Sequence, residues 1–484
     1  MLVVFISYLA VVMGIAVWSS FRARSSSEYI LGGKKLSGFS LALSERAAGE
    51  SAWLLLGLTG LAFTEGYSAV WVALGCVIGI LFIWLVMADR LREMTQQTGA
   101  LTIPSLISGK FPGTEKTVGF FSALIIFFFF LFYIAAQFSG AGEIVNLTFG
   151  YDPLAGKIIG SVIVIAYTML GGFLTVVYVD IFQAFLMIFT LVVLPVIALI
   201  FAMGNDVHLA QTIAEAGVNM SSLTMGQTGG TAVLFIMSGM SWALGYTGQP
   251  HLLARMMALR NKADVRTAIK VASVWTIFAY IGAILIGLTA FAFYQYRVFN
   301  PDQIAALSGN VEKALPVLVV FLVNPVLAGI LLSGAISAMI STASSQVMVA
   351  SSALSQDVIK KSRLSGYFTA DSLVFNKVLT LVIGLTGFLL AITSKDTVYG
   401  FVSYAWSGIG SSFGPALVLL LFWKRFSRAG VYASLFFGTA GSVIWKNYLA
   451  DATGISERLG SYVIAFIMAV LFSVIFPEKK ISIN

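Results

Sequence analysis

Composition and hydropathy predict an all-α polytopic membrane protein of about thirteen transmembrane helices. Of the 484 residues, 58% are hydrophobic and only 10% charged, with a mean hydropathy of +0.93, a balance outside the range of soluble globular domains. Apolar runs of about 20 residues recur along the chain, each long enough to cross a hydrocarbon core of roughly 30 Å. They do not alternate in polarity with period two, as the strands of a transmembrane barrel do. The net charge of +8 then reflects basic cytoplasmic loops and implies no nucleic-acid partner.

Taken in order, the spans are predicted near 2–21, 37–63, 67–88, 117–146, 154–171, 174–203, 230–248, 264–294, 315–356, 374–393, 398–423, 430–447 and 460–476. The first lacks a basic leader and ends at Arg22 and Arg24, so it reads as a retained span and not a cleaved signal peptide. Cys76, the one cysteine, lies in the third and excludes an intrachain disulfide. After it, the apolar piece LTIPSLISGKF is suited to lying against the membrane. The segment 205–230 reads as a cap on an external entrance or as a plain solvated loop. The ninth span is too long for one crossing and is expected to bend before Pro325. With the N-terminus outside, 22 of the 29 Lys/Arg fall on the cytoplasmic side, six outside, and Arg46 alone within a span. That asymmetry predicts N-out, C-in in a plasma (bacterial inner) membrane. The loops are too short to hide a soluble domain. The eight residues after Phe476 leave no room for a signalling module, and no Cys/His cluster supports an enzyme.

Two spans are predicted to be interrupted. The second carries SERAAGESAW, with Glu45, Arg46, Gly49 and Glu50 near mid-depth, where each ionisable side chain costs about 3 kcal/mol unless it faces a cavity or a partner. The seventh, five spans later, carries MSGMSWALGYTGQPH with Gly239, Gly245, Gly248 and Pro250. Broken spans at matching places in two five-helix halves point to an inverted repeat with the site between the halves. The halves are assigned to 36–203 and 230–423, flanked by an extra N-terminal helix (1–22) and extra C-terminal helices (430–484). No sequence identity between them is visible.

Late in the ninth span, Ala338, Ser341, Thr342 and Ser345 share one helical face with Ser344 at its edge. Their hydroxyls and nearby carbonyls are ligands for a desolvated sodium ion, although small residues also serve close helix packing. Asp180, at the start of span six, completes a cation site or else caps its helix at the cytoplasmic interface. Arg46 and Glu50, four apart, suit a buried structural pair or a direct solute or proton role. Trp53, Tyr133, Trp242, Tyr246, Trp406 and Phe413 supply apolar walls for a small organic solute or ordinary packing.

Over nearly its full length the chain resembles the sodium/solute symporter family, most closely its sodium/proline branch. The segments that carry the resemblance are YILGGKKLSGF, SAWLLLGLTG, GGFLTVVYVDIFQA, SWALGYTGQPHLLARMMA, ISTASSQ with SSALSQD, and SYAWSGIGSSFGP. The resemblance implies a leucine-transporter-type 5+5 inverted-repeat core, alternating access and one or two sodium ions. It places a first sodium on carbonyls of Ala47, Glu50 and Ala338 with hydroxyls of Ser341 and Thr342. A second falls to Asp180, Ser341, Ser344 and Ser345, and the solute to Ser51, Trp53, Tyr133, Trp242, Tyr246 and Pro250. The implied function is sodium-driven import of proline or a related amino acid, with no obligate protein partner. The alternatives are proton coupling or another solute, such as a sugar or carboxylate. One departure stands out: the family's proline symporters carry an aspartate where this chain has Gly49, with Glu50 one place later.

Overall fold

The computed structural model describes residues 1–21, 26–34, 36–362, 372–394 and 396–478. Among them every regular element is helical, as a chain that must satisfy its own backbone in lipid requires. In order the helices used below are α1 (Leu2–Ser20), α2 (Gly38–Ala52), α3 (Thr59–Glu65), α4 (Val70–Phe82), α5 (Ala88–Thr98), α6 (Ile103–Ser108), α7 (Glu115–Phe149) and α8 (Pro153–Gly204). They continue with α9 (Gly229–Met240), α10 (Trp242–Tyr246), α11 (Pro250–Met257), α12 (Lys262–Gln295), α13 (Ala314–Leu322), α14 (Pro325–Ala353), α15 (Leu373–Thr393), α16 (Val398–Phe422), α17 (Arg428–Ile444) and α18 (Glu457–Ile475). Of the basic residues in the charge count, Arg22, Arg24, Lys35, Arg363, Lys395, Lys479 and Lys480 lie outside the described residues.

Among the described residues, ten helical runs are long and apolar enough to cross a membrane. The difference from the thirteen expected spans lies in three places. Expected spans two and three run together over Gly38–Thr98. Expected span seven is broken into α9, α10 and α11, each shorter than a bilayer, and α17 has 17 residues. Spans five and six meet at the kink inside α8, Gly172 (φ 59°), and stay two separate runs, Pro153–Leu170 and Gly172–Gly204. A side chain there meets the Tyr29 carbonyl and ring, so only glycine fits both the turn and the space. The expected long ninth span is two helices. α13 ends at Leu322, and α14 starts afresh at Pro325, its first turn capped by Asn324 Oδ1 accepting from Val326 N (3.0 Å) and Leu327 N (3.1 Å).

The core sits where α2, α7 and α8 surround α14 and α12 packs on α2 and α8, while α16, α17 and α18 pack together on the flank of α7. The LTIPSLISGKF piece does not lie on the surface. Its Ile103, Leu106 and Ile107 are buried in α6 against α7, and Thr102 Oγ1 donates to Asp357 Oδ2 (2.6 Å). The 205–230 segment is docked, with Leu223 O accepting from Trp71 Nε1 (2.7 Å) beside the bend at Gly66.

Candidate ion and solute site

The first interruption falls at Ser51, within the SERAAGESAW stretch expected to hold it. Ser51 has φ 52° and ψ −176°, a strained conformation for a residue with a side chain, costing about 1–3 kcal/mol and found mainly where function holds it. Two of the released amides are satisfied by side chains. Ala52 N donates to Gln137 Oε1 (2.8 Å) and Trp53 N to Ser51 Oγ (3.0 Å). The half-helix before the break thus ends with the carbonyls of Ala47 to Glu50 at its negative pole. Thr342 Oγ1 of α14 donates to the Ala48 carbonyl (2.9 Å), so the hydroxyl face of α14 meets the end of α2. Gln137, which anchors the break from α7, was not a sequence candidate. A lone glutamine among aromatics was the available signal.

The second interruption separates α10 from α11 at Thr247–Gln249, with Gln249 extended (φ −79°, ψ 104°). Aromatic side chains bridge the two breaks. Trp53 and Trp242 lie 4.3 Å apart between ring centroids, Tyr246 and Trp406 4.6 Å, and the Tyr246 and Tyr280 hydroxyls 3.0 Å. Tyr133 Oη reaches Ser51 Oγ at 3.5 Å. Ser51, Trp53, Tyr133, Trp242 and Tyr246 are each at most 3% exposed, so the group is closed to both faces here. Pro250 heads α11 and instead lines a cavity of about 20 Å³ with Thr102, Ile103 and Ala254, space for about one water. Phe413 is buried in α16.

Asp180 is fully buried and caps no helix. Its Oδ1 accepts from Ser341 Oγ (2.6 Å) and its Oδ2 from Ser44 Oγ (2.6 Å) and Arg255 Nη2 (3.1 Å). Arg255 also donates to Ser345 Oγ (2.5 Å), Ser44 Oγ (3.1 Å) and the His251 carbonyl (2.5 Å). Ser344 Oγ donates to the Ser341 carbonyl (2.9 Å). This corrects the charge assignment: Arg255 was counted with the cytoplasmic loops, yet it is 0% exposed and pairs with Asp180. Arg46 is therefore not the only basic residue inside. The signal was legible, because PHLLARMM places one arginine in an otherwise uncharged octet that the structure buries throughout.

Glu45, Arg46 and Glu50 form a second buried ionic group. Arg46 donates to both oxygens of Glu45, to Glu50 Oε1 (2.7 Å) and to Thr276 Oγ1 (3.2 Å), and Trp84 Nε1 donates to Glu45 Oε2 (2.8 Å). The neighbours Glu45 and Arg46 thus do pair, although a straight helix turns adjacent side chains about 100° apart.

The profile of the sodium:solute symporter family matches residues 29–438. The chain is 34% identical over 459 residues to the high-affinity proline transporter PutP of Bacillus subtilis (strain 168), covering 94% of this chain and 93% of that protein. It is equally 34% identical over 479 residues to the sodium/proline symporter of Escherichia coli (strain K12), covering 98% and 93%. Among solved structures, a substrate-bound outward-open Na⁺-coupled sialic acid symporter superposes with a TM-score of 0.81 at 18% identity, covering 99% of this chain and 98% of that one. MhsT in complex with L-phenylalanine superposes at 0.55 and 17%, covering 90% and 97%. Those two likenesses establish the fold.

Proposed function

The chain belongs to the sodium:solute symporter family, and from that premise we propose that it imports proline or a closely related amino acid by alternating access. It is a multi-pass membrane transporter, not an enzyme, and sodium is its coupling ion. The N-terminus lies outside and the C-terminus in the cytoplasm, the bilayer being a bacterial inner membrane. The carrying observation is the contact of the α14 hydroxyl face with the carbonyl end of α2, where Thr342 meets the Ala48 carbonyl.

One sodium sits on the carbonyls of Ala47, Glu50 and Ala338 and the hydroxyls of Ser341 and Thr342. The solute lies among Ser51, Trp53, Tyr133, Trp242 and Tyr246, its apolar body against the rings, with Pro250 expected to join them only when the site opens. Each charge moved across 100 mV supplies about 2.3 kcal/mol, or roughly 50-fold accumulation, and a second sodium squares that factor. Purified protein in proteoliposomes is expected to accumulate radiolabelled L-proline under an inward sodium gradient and to stop when choline replaces sodium. Accumulation without sodium, or preference for a sugar or non-amino carboxylate, overturns the assignment.

A second sodium, on Asp180, Ser341, Ser344 and Ser345, has a resident competitor. The Arg255 guanidinium holds Asp180 Oδ2 and Ser345 Oγ, so sodium joins only as Arg255 withdraws. Arg255→Gln removes the competing charge and is expected to tighten the apparent sodium affinity about tenfold, equivalent to about 1.4 kcal/mol. Sodium titration of tryptophan fluorescence checks it, and an unchanged or weaker affinity rejects the competition.

A further inference from the structure

Helices α7 and α17 touch near their first turns, where Thr117 Oγ1 and Tyr432 Oη share a hydrogen bond. Beyond that contact they enclose a groove of about 390 Å³. One wall is Phe121, Leu124 and Ile125, which follow Thr117 at +4, +7 and +8, and the other is Leu435 and Phe436, three and four residues past Tyr432. Those spacings keep each wall on one helical face. Phe121 is 50% exposed and Phe436 66%, so both walls present ring surface that no described part of the chain covers. Farther along, Thr439 turns its hydroxyl away to Ser412 Oγ (2.8 Å), which leaves the upper groove apolar. From Tyr432 to Ala440 the slot follows α17 for about 12 Å.

The end of the groove is cationic, and it lies on the cytoplasmic side in the orientation proposed above. Arg428 opens α17 one turn before Tyr432 and on the same face, and Lys116 stands beside Thr117 in the first turn of α7. Lys424 and Arg425 lie in the link that leads into α17. Lys116, Lys424 and Arg425 are exposed and stand in no ion pair among the described residues. Two carboxylates share this rim: Glu115, and Glu478, whose Oε1 accepts from Arg428 Nε (2.9 Å). Four cations against two carboxylates leave it net positive.

We propose that this groove binds one anionic glycerophospholipid, with an acyl chain between the walls and the phosphate on the rim. The walls alone do not select, because lipid tails of every headgroup are as apolar as leucine. Selection comes from the rim, where the planar Arg428 fork matches a phosphate and the Lys116 ammonium adds a second charge. The Thr117 and Tyr432 hydroxyls supply polar contact at the boundary between tail and headgroup. A second copy of the chain fits this face less well. A two-fold partner brings its own positive rim to the same membrane depth, so like charges meet.

Native mass spectrometry of the purified full chain, offered dioleoyl phosphatidylglycerol or dioleoyl phosphatidylcholine, tests the site. Wild type is expected to retain one phosphatidylglycerol and to prefer it about tenfold, the gain that one or two basic groups near a headgroup supply. The melting temperature in detergent is expected to rise with phosphatidylglycerol and not with phosphatidylcholine. Lys116→Gln combined with Arg428→Gln discharges the rim and is expected to bring the two lipids to equal retention. Leu124→Trp fills the slot with the rim intact and is expected to lose the retained phosphatidylglycerol. Should the double variant fail to fold because Glu478 is freed, Lys116→Gln alone, at an exposed and unpaired position, is expected to cut the preference about threefold. Equal retention of the two lipids by wild type overturns the site. So does an undiminished preference in the rim variants or in Leu124→Trp, which places anionic-lipid binding elsewhere on the surface. A dimer by light scattering that Leu124→Trp dissociates assigns the groove to a second copy and likewise overturns the proposal. None of these readouts depends on the solute or the coupling ion.

Discussion

Asp180→Ala is expected to abolish sodium-driven uptake and to lower the thermal stability of the protein. The carboxylate is the shared acceptor for Ser341, Ser44 and Arg255, and thereby ties α8 to α14, α2 and α11. Its removal leaves the Arg255 guanidinium buried without a counter-charge, a change that costs about 3–5 kcal/mol in comparable buried pairs. Adding Arg255→Met to Asp180→Ala removes the stranded charge and is expected to recover most of the melting temperature without recovering uptake. The two effects are thereby separated, since contacting residues do not contribute additively. If Asp180 binds a second sodium, any residual uptake in the single variant shows a Hill coefficient for sodium near about one where wild type approaches about two. An unchanged coefficient and affinity removes the second site.

Gly248→Ala is the second large effect. Gly248 lies at the second break, and a β-carbon there falls 2.6 Å from Gly414 N and 2.8 Å from Gly410 O. Both are backbone atoms of α16, which no side-chain rotation can relieve. Gly410 in turn packs on the backbone of Gly245, so these glycines let the broken helix and α16 approach at backbone contact. Forcing them apart is expected to cost about 1–3 kcal/mol and to reduce uptake more than about tenfold by misplacing Trp242 and Tyr246, since such misplacement lowers rates by about 10²-fold. Gly204→Ala, where nothing lies within 4 Å, is the control and is expected to melt as wild type. Equal melting of the two variants refutes the close-packing argument.

Lipid imposes one rule on every residue alike, that backbone polar groups be bonded within the chain. For that reason apolar length alone announced a helical membrane protein. Glycine and proline in SERAAGESAW and MSGMSWALGYTGQPH announced that two spans are interrupted. The hydroxyls at 341, 342, 344 and 345 declared one face because helical period is a local property. What linear order could not supply is partnership. Arg255 read as one more loop cation, and only the fold, by folding α11 back into the core, set its charge against Asp180. Glu45 and Arg46, adjacent on one helix, had no reason in sequence to pair, and SERAAGESAW did not single out the residue that breaks, which tertiary anchoring by Gln137 and Tyr133 holds at Ser51. Where a helix breaks, and which charge answers which, depends on groups distant in sequence that burial forces to satisfy one another.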